Sequence, residues 1–270
     1  MNNKLTIAAI QMLSKESVEE NLKKVHELTE NAVRLGAKLI VFPECFLRVS
    51  REVNNAFYEL IEELGHGKIQ DTLSQIAKKH SIYLVAGSVP IKSTTPDKCY
   101  NTTLVFNPDG EMICHYHKIH LFKLLDQTHS FDETRNYVHG DELVTFNIDN
   151  FKFGIGICYD LRFPEMFRKM KDVDAILLPS AFLYHTGTHH WEVLLRARAI
   201  ENLCYMVGIN QGGLHECGRH TFGHTMIIDP WGEIKASCTF GEEIVIGDID
   251  KDIITQIRSK LPALTDKRLK

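Results

Sequence analysis

Cys158 closes the run Phe151-Lys152-Phe153-Gly154-Ile155-Gly156-Ile157, in which large apolar residues occupy 151, 153, 155 and 157 and the opposite face is nearly bare. That pattern predicts a buried strand, and Asp160 to Met166 then turn into a helix, so the thiol stands at a strand-to-helix elbow. Such an elbow displays a nucleophile and offers the following backbone N–H to an oxyanion, although a small buried hydrophobe fits the same place. Lys118 ends another predicted strand, Glu111 to Lys118, where a period of two puts it on the face of Met112, Cys114 and Tyr116. A lysine on that face meets a carboxylate or a function, or else it snorkels from the strand end to water. Arg162, four residues after the cysteine, can pair with a substrate carboxylate or bridge to Glu165 or Asp160 across the elbow.

Two other sets of residues invite a cofactor. His115 and His117 share a strand face close to His120, but the face is the outward one and the remaining histidines lack ligand spacing. Solvated histidines are the expectation. Gly154-x-Gly156 followed by Tyr159 is a poor dinucleotide fingerprint, because its glycines precede the turn they would have to form. No cofactor and no metal are expected.

The elements that must position these groups follow from periodicity and punctuation. Leu5 to Ile10 reads as a short buried strand, and Ser17-Val18-Glu19-Glu20 is a capping box ahead of Val18, Leu22, Val25, Ala32 and Val33 at helical spacing, stopped by Gly36. Leu39 to Phe42 is a second strand that Pro43 ends, leaving Glu44 just beyond its terminus. A helix over Ile69 to Lys79 and a strand over Ile82 to Val89 continue the α/β alternation, which collects functional groups at strand ends. Asn101 to Phe106 and Glu111 to Lys118 form a hairpin about Asn107-Pro108-Asp109-Gly110, and Met226 to Ile228 with Glu233 to Ser237 repeats it about Asp229-Pro230-Trp231-Gly232. The echo points to two related halves, and without a Gly/Ser/Pro-rich linker between them we expect one domain, 1–270, with pseudo-symmetric sheets. Thr188 to Leu203 is an amphipathic helix that buries Trp191, Leu194 and Leu195 and lays Glu192, Arg196, Arg198 and Glu201 along a salt-bridged surface or an oligomer interface.

The 270 residues carry 31 Lys+Arg against 35 Asp+Glu, without a long run of either sign, which gives no footprint for nucleic acid or an anionic membrane. The longest apolar run, about Ala175 to Tyr184, is broken by Pro179 and is too short to span a bilayer. Leu5 to Ile10 is likewise too short for a secretory signal. Seven cysteines without a C-x-x-C pair are neither a disulfide framework nor a zinc site, so a cytoplasmic protein acting on a small molecule is expected.

Together, Phe42-Pro43-Glu44, Tyr116-His117-Lys118-Ile119-His120-Leu121 and Gly156-Ile157-Cys158-Tyr159-Asp160-Leu161-Arg162-Phe163-Pro164-Glu165 resemble the three ordered signatures of the nitrilase (carbon-nitrogen hydrolase) superfamily. Cys158-Tyr159-Asp160-x-Arg162-Phe163, Pro179-Ser180-Ala181-Phe182 and Thr186-Gly187-x-x-His190-Trp191-Glu192 are similar to its Nit branch, whose members act on amides of 2-oxo acids. The Trp-Glu pair that usually follows the cysteine of true nitrilases is missing, which favours an amidase. The resemblance implies a four-layer α-β-β-α sandwich assembled as a homodimer or homotetramer through helices near the cysteine and the C-terminal segment. It implies Cys158 as nucleophile, Glu44 as general base, Lys118 as oxyanion stabiliser and Glu133 as second glutamate, with Glu142 as fallback because Lys123 to Tyr137 departs from the usual pattern. Tyr159 would add its backbone N–H, and Phe182 and Thr186 would stand beside Arg162 in binding substrate. The loop Gly212 to Arg219 leans toward deaminated glutathione as the amide, with 2-oxoglutaramate or an N-carbamoyl amine or amino acid as alternatives.

Overall fold

The computed structural model describes residues 2–51, 54–125 and 130–268. Strand β1 (Lys4–Gln11) leads through α1 (Val18–Arg34) to β2 (Leu39–Val41), and then α2 (Asn55–Tyr58) and α3 (Lys68–His80) lead to β3 (Tyr83–Lys92). These three strands are parallel, and β4 (Cys99–Phe106) and β5 (Met112–His117) extend the sheet antiparallel, as the predicted hairpin. β6 (Lys123–Leu125) and β7 (Ser130–Asp132) form a small ribbon, and β8 (Tyr137–Val138) adds to β4. The second half repeats the scheme. β9 (Thr145–Ile148) pairs antiparallel with β10 (Phe151–Ile155), α4 (Pro164–Lys169) leads to β11 (Ala175–Ser180), and α5 (Tyr184–Asn202) leads to β12 (Tyr205–Asn210). β10, β11 and β12 are parallel, and β13 (Met226–Ile228) with β14 (Ile234–Ser237) closes the sheet as the second hairpin. β15 (Glu243–Asp250) returns antiparallel to β1, just as β9 flanks β10, and α6 (Lys251–Lys260) follows.

The order β1-β2-β3-β4-β5 is thus matched by β10-β11-β12-β13-β14, the two related halves that the hairpin echo predicts. Side chains alternate along each strand. Ile7, Val41 and Val85 of the first sheet pack with Ile155, Leu177 and Val207 of the second, while Ala8, Ile40 and Leu84 turn to Val25, Leu28 and Leu73 of α1 and α3. Trp191 and Leu195 of α5 cover the second sheet's outer face, completing the α-β-β-α layers. Both faces being covered, the strands read as continuous apolar runs.

Local caps behave as the sequence requires: the Ser17 hydroxyl accepts the Glu20 N–H at 3.3 Å and Gly36 takes φ +91° beyond α1. Three expectations change. β3 continues past Val89 through Pro90 to Lys92 after a bulge between Ala86 and Val89, since Pro90 lies where the ladder is already irregular. α5 begins at Tyr184 rather than Thr188, and Leu194 is only half-buried. Arg198 pairs with Glu201 at 3.0 Å, but it is 5% exposed rather than on the surface and also donates to the Leu161 carbonyl at 3.1 and 2.8 Å, leaving Glu192–Arg196 as the surface pair. That buried guanidinium ties α5 to the chain just after Cys158.

Candidate active site

Glu44 follows the C-terminal end of β2, and its backbone is pressed against β3 where only glycine fits: a Cβ on Gly87 would stand 1.9 Å from the Pro43 carbonyl oxygen. The next residue, Cys45, adopts φ +58°, and its N–H donates to Ser88 Oγ at 2.9 Å, which turns the chain sharply and aims Glu44 inward. The carboxylate is 2% exposed. Oε1 accepts from Lys118 Nζ at 2.8 Å and from Asn101 Nδ2 at 2.9 Å, and Oε2 accepts the Ala181 N–H at 2.9 Å. Glu44 is therefore held by donors from both halves of the fold.

Lys118 lies one residue beyond β5, anchored by its N–H to the Asn101 carbonyl at 2.9 Å and by its carbonyl to the Gly140 N–H at 2.8 Å. Its side chain is fully buried, so of the two readings that periodicity leaves open the snorkelling one is incorrect. Glu133, at the start of a 3₁₀ turn, contacts Nζ at 3.0 Å through Oε1 and 2.9 Å through Oε2, while Oε2 also accepts the Phe122 N–H at 2.7 Å. Glu142 is exposed. Two carboxylates thus share one ammonium inside the protein, an arrangement whose desolvation cost makes sense where the charges do work.

Cys158 stands at the elbow, but past the strand: β10 ends at Ile155, and the cysteine opens a 3₁₀ turn, Cys158–Arg162, with φ +47°. A left-handed conformation on a residue with a Cβ costs about 1–2 kcal/mol, so the surroundings must impose it. Asp160 does so. Its carboxylate accepts the Ile157 N–H at 2.8 Å, the Tyr116 hydroxyl at 2.7 Å and the His120 N–H at 3.0 Å, with His120 Nδ1 at 2.7 Å. Asp160→Asn places an NH₂ among these donors, and we expect it to lower stability by about 2–3 kcal/mol in denaturant unfolding and to slow alkylation at Cys158.

The charges are coupled. Burial alone would raise the Glu44 carboxyl, but the Lys118 charge, its hydrogen bond and that of the Cys158 thiol outweigh burial and hold it below the usual range. Burial likewise opposes the Lys118 charge, yet Glu133, Glu44 and Cys158 hold its ammonium well above the ordinary value. Glu133 is raised by burial and by Glu44 despite Lys118. Burial and the Glu44 charge push the Cys158 thiol well above its usual value, so the site holds a thiol facing a carboxylate. Burial and Glu44 push Cys45 up to about 12, an unreactive thiol at neutral pH.

Cys158, Glu44, Glu133, Tyr159, Arg162, Phe182 and Thr186 line one narrow pocket, with a free volume of about 10 Å³. The Arg162 guanidinium lies 5.1 Å over the Phe182 ring and 5.8 Å over the Tyr159 ring, with Nη1 3.2 Å from His190 Nδ1. Neither Glu165 nor Asp160 bridges to it, and among the described residues it has no ion pair with a carboxylate. The three histidines are not simply solvated. His117 is half-buried, bonded to Thr102 Oγ1 at 2.8 Å and lowered by burial to about 4, and His115 is half-buried too; His120 stacks on Phe163 at 3.7 Å.

Asn101, Ala181, Asp160, His190 and Arg219 join the site beyond the residues expected there. Asp160 carries a sequence signal as part of the Cys158-Tyr159-Asp160 stretch; Asn101, beside Thr102 and Thr103 in β4, carries none, and Ala181 acts through its backbone.

The carbon-nitrogen hydrolase family model matches residues 6–259. A deaminated glutathione amidase of Synechocystis sp. (strain PCC 6803 / GT-S) is 36% identical over 263 residues, covering 95% of this chain and 96% of that protein. The omega-amidase NIT2 of Mus musculus is 33% identical over 265 residues, 97% and 94% of the respective lengths. Among solved structures, Saccharomyces cerevisiae Nit3, a member of branch 10 of the nitrilase superfamily, superposes with a TM-score of 0.87 at 32% identity over 97% of this chain and 96% of that one.

Proposed function

The chain belongs to the carbon-nitrogen hydrolase family, and from that premise we propose that it hydrolyses amides of small 2-oxo acids, deaminated glutathione foremost, through a thioester on Cys158. It is an enzyme acting on amides. The substrate class is carried by one observation: Arg162, held between two aromatic faces and without a carboxylate partner among the described residues, lines the same narrow pocket as the thiol. A guanidinium so placed suits the carboxylate of a 2-oxo acid, with Phe182 and Thr186 beside it.

Cys158 attacks the amide carbonyl as Glu44 takes the thiol proton: the raised thiol requires a base, and the depressed carboxyl leaves Glu44 ionised to serve as one. The Lys118 ammonium and the Tyr159 backbone N–H stabilise the tetrahedral oxyanion. Glu44 returns the proton to the departing nitrogen, the C–N bond breaks, and the acyl group remains as a thioester. Glu44 then removes a proton from water, water adds to the thioester carbonyl, and the carboxylic acid leaves as the thiol is re-formed. Glu133 orients Lys118 and the water.

Both candidate amides transfer the same 2-oxoglutaryl group and differ only in the amine released: cysteinylglycine from deaminated glutathione, ammonia from 2-oxoglutaramate. The test is therefore 2-oxoglutarate release from the two amides in parallel, with Cys158→Ala as blank. We expect deaminated glutathione to show the higher kcat/KM. The reverse order would make the protein an omega-amidase, and no release above blank from either would refute the assignment and turn attention to N-carbamoyl compounds.

We take residues 1–270 as one domain, supported by the core cluster that both sheets share. Assembly as a homodimer or homotetramer is supported by exposed Val193, Ile200 and Trp231 on and beside α5. Free thiols at all seven cysteines support a cytoplasmic setting.

A further inference from the structure

We infer that the arginine-lined cavity beside Glu133 is a subsite for the amine half of the substrate, built for a leaving group that ends in a carboxylate. The inference rests on the amidase reading above and narrows its substrate class.

The cavity measures about 460 Å³, within the range of small-ligand sites, and it shares Glu133 and Arg219 with the narrow pocket over Cys158. A neighbouring space of about 380 Å³ shares Arg51, Phe131 and Arg219 with it. Room for a bulky substituent therefore lies next to the reacting bond. Its side is set by the chemistry. The acyl anchor Arg162 lines the narrow pocket and not this cavity, whereas Asn101, which donates to Glu44, stands in the cavity wall. Glu44 protonates the departing nitrogen, so an amide with its acyl carboxylate on Arg162 directs its amine half toward this wall.

The lining selects for charge. Of the four arginines, Arg48 is satisfied by Glu16 at 3.4 Å and Asn54 at 3.0 Å. The cavity's two carboxylates are also engaged, Asp132 with Lys123 at 3.3 Å and Glu133 with Lys118. Arg51, Arg135 and Arg219 have no carboxylate partner among the described residues. Arg219 in particular has its guanidinium 4.9 Å over the Phe131 ring and its Nε buried without a hydrogen-bond acceptor among the described residues. A buried donor left unpaired is costly, and an incoming carboxylate satisfies it. The ligand chemistry is thus an amino acid or short peptide amine with a free terminal carboxylate, as in the cysteinylglycine half of deaminated glutathione.

The experiment compares deaminated glutathione, its terminal carboxamide and 2-oxoglutaramate as substrates of the wild type, Arg51→Gln/Arg135→Gln, Arg219→Gln and Arg162→Gln. We expect the kcat/KM ratio of deaminated glutathione to 2-oxoglutaramate to fall at least about tenfold in the double variant and in Arg219→Gln. The carboxamide should be a poorer substrate than the acid for the wild type and for Arg162→Gln but not for the double variant or Arg219→Gln, and Arg162→Gln should depress both amides together. An unchanged ratio, or a carboxamide as good as the acid, overturns the subsite. If the wild type turns over neither amide, the preceding functional reading fails by itself. Calorimetry on Cys158→Ala then decides the subsite: cysteinylglycine binding more tightly than its carboxamide, with the preference lost in the double variant, supports it, and equal binding overturns it.

Discussion

Replacing Cys158 by alanine is expected to lower kcat/KM by about 10⁴-fold or more while the protein stays folded. In the proposed mechanism the Cys158 sulfur forms the acyl bond, and the neighbouring Cys45 is a poor substitute for it, since burial and Glu44 hold the Cys45 thiol up at about 12. The side chain is small and 8% exposed, so its loss should cost no more than about 1.5 kcal/mol in urea unfolding. Steady-state rates and an unfolding curve on the same preparation check both halves. A variant that keeps a tenth or more of wild-type activity would remove the covalent mechanism.

The second large effect belongs to Lys118→Met. It removes the cation at 2.8 Å from Glu44 and 2.9 Å from Glu133 and leaves two buried carboxylates facing each other. Stranding buried charge in this way costs about 3–5 kcal/mol, and losing the oxyanion's counter-charge should lower kcat by about 10³-fold. The pH dependence has a definite sign. In the wild type the folded Glu44 carboxyl is depressed, so it contributes stability above its unfolded value that is lost as pH falls through the folded one. Without the lysine both carboxyls are raised on folding, so their penalty is full above the folded value and is relieved as pH drops. The difference in Tm between variant and wild type should therefore shrink on acidification, as thermal melts from neutral to mildly acidic pH will show. A gap that stays constant would mean that Lys118 stabilises by packing alone.

Much of the scaffold was legible because it depends on local rules: the Ser17 cap, the Gly36 stop and the two Pro/Gly hairpins each appear where the sequence puts them. The repeated hairpin even disclosed the pseudo-symmetry of the sheets. Elsewhere, long-range contacts decided the outcome. Alternation put Lys118 on the face of Tyr116, where it is found, but one residue past its strand it left burial and snorkelling both open, and the hydrogen bonds to Asn101 and Gly140 anchor its backbone there. The imidazole of His120 meets an acceptor 40 residues away in Asp160, which a strand pattern has no means of showing. Glu133 reaches Lys118 because Phe122 fixes it through a backbone N–H, a contact without a sequence signature. Arg219 falls in the Gly212 to Arg219 loop, whose composition marks it in the sequence but whose guanidinium acquires meaning only from the cavity around it.

The central claim is a single acyl-enzyme on Cys158 common to both amides, and competition between hydroxylamine and water tests it most directly. With deaminated glutathione or 2-oxoglutaramate as donor and a fixed hydroxylamine concentration, the ratio of hydroxamate to 2-oxoglutarate should be identical, because the leaving group has gone before the nucleophiles compete. A ratio that depends on the donor would contradict a shared thioester.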